Sequence, residues 1–206
     1  MKAKLKNAAK FLVLTLIGIA MVFSVAACEV DVPDTPDGPD LPDETGYSLV
    51  EDGISSYQIV IPENAPADIS YAAKELNEFL GAATGAYLPV VTDAQASGEA
   101  LISLGETSVA AELGISVSEE EDLGASGYKI VTSGQTVCIL SAPGGSGEGC
   151  IYGVYDFLAD AVGFKVYAGD EITYEQKATG PLYDYNETAD PSFDIRSIGY
   201  SILMTD

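Results

Sequence analysis

The chain has 206 residues, no histidine and a formal net charge of −23, with 32 acids against nine lysines and arginines. Without histidine, a Ser-His-Asp triad, a Cys-His dyad and a His-ligated zinc site are excluded within it. So acidic a surface repels nucleic acid, and no nucleic-acid partner is expected.

In chain order, Lys2, Lys4, Lys6 and Lys10 form a basic start, and Phe11 to Phe23 is an apolar run. The residues then turn small at Ser24-Val25-Ala26-Ala27 and reach Cys28. This is the three-part plan of a secretory signal, with small residues where a peptidase must reach the backbone. Val25-Ala26-Ala27-Cys28 resembles the lipobox of bacterial lipoproteins, which implies that the Cys28 thiol is acylated and becomes the first mature residue. A transmembrane anchor is the rival reading. The run is shorter than the roughly 20 residues a spanning helix needs, and no basic stop-transfer cluster follows it. Residues 1–27 are therefore expected to be a signal peptide, and the bilayer a partner through Cys28 on the extracytoplasmic face of the cell membrane. Processing would remove four lysines and no acid, leaving a mature charge of about −27.

Residues 28–46 read as a tether. Pro33, Pro36, Pro39 and Pro42 recur every third residue, each followed by Asp. That period matches polyproline II, and the acids repel one another. At about 3.1 Å per residue the stretch could hold a domain roughly 55 Å from the membrane.

One domain is expected over residues 47–188. Strands are predicted at Tyr57 to Ile61, Leu88 to Val91 and Ala100 to Leu104. A helix is predicted over Ala67 to Ala83, where Ala72, Leu76, Phe79, Leu80 and Ala83 share one side, and Gly85 lies just beyond. Thr107 to Leu113 reads as a short helix capped by Thr107. Tyr128 to Thr132 and Thr136 to Leu140 flank Ser133-Gly134-Gln135, a hairpin signal. A helix over Ile151 to Ala161, stopped by Gly163, precedes a strand at Phe164 to Tyr167. The expected fold is α+β: a mixed sheet with helices packed on one face. After Asp190-Pro191-Ser192, the segment Phe193 to Met204 reads as a further strand. An apolar strand with nothing to cover its edge suggests a chain cut off at the start of another domain.

Motifs that carry chemistry are mostly refused. The stretch Gly144-Gly145-Ser146-Gly147-Glu148-Gly149 precedes a helix, as a phosphate loop does. However, Gly149 is followed by Cys150-Ile151 rather than Lys and Ser/Thr, and Glu148 would repel an anion. A mobile loop giving room for close helix approach is the preferred reading. Glu119-Glu120-Glu121-Asp122, Asp170-Glu171, and Asp156 with Asp160 are read as solvated faces rather than the facing carboxylates of a glycosidase. No metal-ligand spacing stands out, and no cofactor is expected. Cys138 and Cys150 are read as buried thiols, although the compartment permits a disulfide. Twelve tyrosines, Tyr183 and Tyr185 among them, suit either sugar stacking or half-buried strands.

A family resemblance rests on the order of several pieces. These are Ile59-Val60-Ile61-Pro62, Ala72-Ala73-Lys74-Glu75-Leu76-Asn77-Glu78-Phe79-Leu80, and Thr84-Gly85 with Leu88-Pro89-Val90-Val91. Ile102-Ser103-Leu104-Gly105-Glu106-Thr107, Gly127-Tyr128-Lys129-Ile130 and Gly149 to Leu158 before Gly163-Phe164 complete the set. Together they resemble the accessory domain ahead of the catalytic barrel in bacterial β-hexosaminidase-like and α-glucuronidase-like glycoside hydrolases. The resemblance implies a sheet with helices on one face, no catalytic residue in this domain, and chemistry in a following (β/α)8 barrel. It implies that residues 189–206 begin that barrel, so that the barrel is a partner within the same polypeptide and carbohydrate a further one. Arg196 matches the arginine that binds substrate hydroxyls in hexosaminidases, with Ser197 where the family usually has Gly. The alternative is a free-standing carbohydrate-binding or adhesion lipoprotein.

Overall fold

The computed structural model describes residues 41–118, 121–168 and 171–190. The signal segment, Cys28, most of the tether, and the stretch holding Arg196 lie outside these. Among the described residues no helix is long and apolar enough to cross a membrane.

Strand β1 (Glu44–Val50) opens the domain, followed by β2 (Gln58–Ile61), α1 (Ala67–Thr84), β3 (Val90–Thr92), β4 (Leu101–Leu104) and α2 (Ser108–Glu112). Then come β5 (Tyr128–Ser133), β6 (Thr136–Ser141), α3 (Glu148–Val162), β7 (Lys165–Ala168), β8 (Glu171–Thr173), β9 (Gly180–Tyr183) and β10 (Asn186–Ala189). Six strands form the main sheet in the order β10-β5-β6-β4-β2-β3. The pairs β3-β2, β2-β4 and β4-β6 are parallel, whereas β6-β5 and β5-β10 are antiparallel. The sheet is mixed, as expected. The β5-β6 hairpin turns at Ser133-Gly134-Gln135-Thr136, where Gly134 takes φ 62°.

The two long helices lie on one face. From α1, Ile69, Ala72, Ala73, Leu76, Leu80 and Ala83 are buried, following the 3.6-residue period. From α3, Cys150, Val154, Phe157, Leu158, Ala161 and Val162 do the same. They meet Ile59, Ile102, Leu104, Ile130, Val137 and Ile139, which alternate along their strands onto that face. Both helices end on a left-handed glycine, Gly85 at φ 86° and Gly163 at φ 64°. Leu76 and Leu158 have no exposed surface, as the apolar stripes predict.

The other face has a thinner cover. Cys138 and Leu140 point there and pack on Ala110 of α2, with Ile115 and Val117 beside them. Thr107 caps α2 by accepting from the Ala110 N–H, and its hydroxyl lies 2.5 Å from that of Ser103. Cover on both sides explains why all six residues of β6 are buried and why the run Val137-Cys138-Ile139-Leu140 lacks alternation. The two long helices thus share one face, while the short one sits on the opposite face.

Cys138 and Cys150 are free and buried, on opposite faces of β6. Burial pushes each thiol up to about 11, so neither supplies thiolate at neutral pH. The reading of two inert buried thiols holds.

Several elements depart from expectation. The tether read as ending at Gly46 gives way at Glu44 to β1, which pairs antiparallel with β9. The Thr45 hydroxyl donates to the Leu182 carbonyl at 2.9 Å, across 137 residues. Strands β8, β9 and β10 had no strong sequence signal. Strand β3 starts at Val90 rather than Leu88, because the Leu88 N–H is taken by the Asn77 side chain at 2.7 Å. Helix α3 starts three residues before Ile151, at Glu148.

Candidate functional site

The acids come first, because hydrolytic chemistry would need them. Glu121 is bound to the Lys129 ammonium at 2.8 Å. That hydrogen bond and the Ser118 N–H hold its carboxyl below the usual carboxylate range. The sequence reads here as a plain solvated face, but Glu121 makes a partly buried ion pair. Asp156 lies on an exposed face as the sequence reading has it, whereas Asp160 is half-buried and corrects that reading. The Tyr128 hydroxyl donates to Asp156 Oδ2. Burial, then the charge of Glu187 on β10, raises Asp156, and the same two causes push Asp160 up to about 6. Helical spacing put these acids opposite the apolar stripe, and there the charge of Glu187 on β10 reaches both of them. Tyr185 is fully buried against Phe157, and its hydroxyl faces Asp160. No group of acids or cysteines among the described residues could hold a metal ion.

The glycine-rich loop lies at the carboxyl ends of β2, β4 and β6. There Asn64, Pro66, Ile69, Glu106, Ser141, Gly144 and Gly147 surround a cavity of about 250 Å³. Neither adjoining helix start carries a side-chain cap. The one charge in the lining is Glu106, which opposes an anion. The glycines serve packing. A Cβ at Gly149 would overlap the Gly127 carbonyl, and one at Gly147 would meet Ile69. The expectation of close helix approach is met.

A third place is a groove of about 430 Å³ between α1 and the sheet edge at β3, within the size range of small-ligand pockets. Its lining is Ser70, Ala73, Lys74, Asn77, Glu78, Tyr87 and Val90. Positions 70, 74, 77 and 78 stack along one side of α1, so helical spacing alone makes a polar ridge. The chain leaves α1 at Gly85 and returns along it to β3. The Thr84 hydroxyl accepts from the Ala86 N–H, and Asn77 Oδ1 from the Leu88 N–H, which fixes the return. Tyr87 stands between these two bonds. Its ring lies against the backbone of Gly81, where a Cβ would collide with three ring carbons, yet Tyr87 is 67% exposed. Lys74 lies 3.6 Å from Glu78 and 4.0 Å from Glu75, so its charge is already countered. Sequence reasoning overlooked this groove. The available signal was Gly81, a helix-weakening residue inside an otherwise good helix.

Fold and geometry define a mixed-sheet α+β domain with its two long helices on one face. The Glycosyl hydrolase family 67 N-terminus model matches residues 47–157, more than half of the chain, and the chain belongs to that family. It is accordingly a glycoside-hydrolase-type N-terminal accessory domain. Among solved structures it is similar to a family GH115 4-O-methyl-α-glucuronidase with specificity for decorated arabinogalactans, at 17% identity and TM-score 0.47, over 71% of this chain and 18% of that one. It is also similar to the Streptomyces plicatus N-acetyl-β-hexosaminidase, at 19% identity and TM-score 0.35, over 56% of this chain and 18% of that one. A variant of that enzyme in complex with GlcNAc matches at 17% identity and TM-score 0.38, over 70% and 24%. The chain therefore spans a quarter or less of the length of these structures. Among curated proteins none matches.

Proposed function

We propose that this chain is the N-terminal accessory domain of a cell-surface glycoside hydrolase that takes part in polysaccharide or glycan breakdown, tethered to the membrane through acylated Cys28. The observation that carries the reading is the family match over residues 47–157. In this reading hydrolysis belongs to a barrel that residues 189–206 begin, and Arg196 contacts substrate hydroxyls there.

The local chemistry is consistent with that division of labour. Retaining hydrolysis needs two carboxyls about 5 to 5.5 Å apart and inverting hydrolysis roughly 6.5 to 9.5 Å, facing each other across a sugar-sized cleft. The acids that burial perturbs here, Asp156 and Asp160, lie on the outer side of α3 near Glu187, and the groove at β3 presents one carboxylate, Glu78, held by Lys74. The test is turnover of aryl glycosides of N-acetylglucosamine and glucuronic acid by this chain and by a polypeptide extended downstream of Asp206. Turnover is expected in the extended form alone. Turnover by the 206-residue chain, abolished by mutating one of its own acids, would overturn the reading. For the tether, Cys28→Ala is expected to move the processed protein from the detergent to the aqueous phase; unchanged partitioning would refute acylation.

A further inference from the structure

We propose that the groove between α1 and β3 is a binding subsite for a neutral pyranose of a glycan chain, with Tyr87 as its stacking platform. It is independent of where hydrolysis occurs, since such a subsite can serve a free-standing protein as well as a domain.

The argument starts from Gly81. A glycine inside a helix is unfavourable relative to alanine, and here it makes room for one thing, the ring of Tyr87. That ring is pressed on the helix, fixed at both ends of its short loop by the bonds at Ala86 and Leu88, and still two-thirds exposed. A tyrosine that merely filled the core would be covered. A pyranose presents a face of C–H groups and a rim of hydroxyls, and so needs a rigid aromatic surface flanked by hydrogen-bonding groups.

The flanking groups are present. Asn77 spends its Oδ1 on the Leu88 N–H, which orients its amide, and the –NH₂ has no protein partner among the described residues. The hydrogen bonds Ile59 N–H to Pro89 O and Asp93 N–H to Ile61 O turn those β3 groups toward β2. By the two-residue alternation of a strand, the N–H and C=O of Val90 then face outward from the sheet edge, beside the groove. Ala73 is small and leaves the floor open. Donors and acceptors thus line the groove together with the ring.

Charge selects the class. Lys74 is the one cation in the lining, and Glu78 and Glu75 already neutralise it. A uronate would have to displace Glu78 and approach a protein of large negative charge. A neutral hexose or pentose unit meets no such cost.

The experiment titrates the 206-residue chain calorimetrically with xylohexaose, cellohexaose and an oligoglucuronate. At least one neutral oligosaccharide is expected to bind with a dissociation constant on the order of 1 mM, and the uronate more weakly. Tyr87→Ala should weaken binding about 10-fold, as loss of one aromatic contact does, while Tyr87→Phe keeps it. Gly81→Ala removes no ligand contact but drives the ring off the helix. It should weaken binding as much as Tyr87→Ala while the fold, read by circular dichroism, stays intact. The proposal is overturned if no neutral oligosaccharide binds, if the uronate binds more tightly, or if binding survives both Tyr87→Ala and Gly81→Ala.

Discussion

The two edges of the six-stranded sheet are finished in opposite ways. At β3 the edge is short, entered through Pro89, and leaves an open groove whose one cation is paired and whose aromatic ring faces solvent. At β10 the edge strand pairs with β5 and brings the exposed Glu187 near Asp156 and Asp160 of α3, with Tyr185 buried beneath. Both blunt an edge that would otherwise recruit another strand. One does it while keeping ligand-sized space. The other does it with carboxylates that burial and mutual repulsion penalise. Polar residues at a sheet edge therefore do not by themselves make a site. What separates the two is open space with rigid, uncommitted groups around it.

Both edges hang from the same helix layer, and removing its anchors should have the largest effect. Leu76→Ala beneath the β3 side and Leu158→Ala beneath the β10 side each delete a fully buried side chain. Each is expected to cost about 2–5 kcal/mol in denaturant unfolding. A loss confined to one of them would mean that the two halves unfold separately.

The glycines sharpen the contrast. A Cβ at Gly149 meets the backbone carbonyl of Gly127, which cannot swing aside, whereas one at Gly81 meets a tyrosine ring that can. Gly149→Ala should destabilise by about 1–3 kcal/mol, as overpacking does. Gly81→Ala should be neutral or stabilising by up to about 1 kcal/mol, the helix-propensity gain. Chemical denaturation of both variants tests the difference, and equal destabilisation would remove the case that Gly81 exists for Tyr87.

The smallest effect lies at the β10 edge and depends on pH. The Asp160 carboxyl rises from 3.8 to about 6 through burial, then the Glu187 charge, with Asp156 and the Tyr185 hydroxyl also facing it. An acid raised on folding binds its proton more tightly in the native state. Ionising it therefore opposes folding: the cost is absent below about pH 4, grows through pH 4–6, and is complete above. Asp160→Asn should raise the melting temperature at pH 7 and flatten its fall over that window. An unchanged profile would mean that Asp160 is hydrated rather than enclosed.

The sequence was informative where signals are local. The apolar stripes placed α1 and α3, Thr107 announced the start of α2, and Gly134 marked the hairpin. The glycine-rich loop was expected to give room for close helix approach, and Gly147 and Gly149 do so. What stayed hidden is made by distant partners. Strand β1 exists because β9 pairs with it more than a hundred residues later, and Glu44 to Gly46 look like tether until that partner is known. Asp156 and Asp160 lie on the outer side of α3 by any helical projection, and only the return of β10 brings the charge of Glu187 to them. The groove was illegible because Tyr87 is not on the helix it completes; a loop fixed by Asn77 brings it there. Cys28 and Arg196 were singled out from short-range pattern and resemblance, and they lie beyond the described residues.

The difference between the edges is most directly tested by amide chemical-shift mapping of the ¹⁵N-labelled chain during titration with a neutral oligosaccharide. Shifts are expected at Lys74, Asn77, Gly81, Tyr87 and Val90 and not at Asp156, Asp160 or Glu187. Shifts centred on the β10 edge, or none at either edge, would contradict the account.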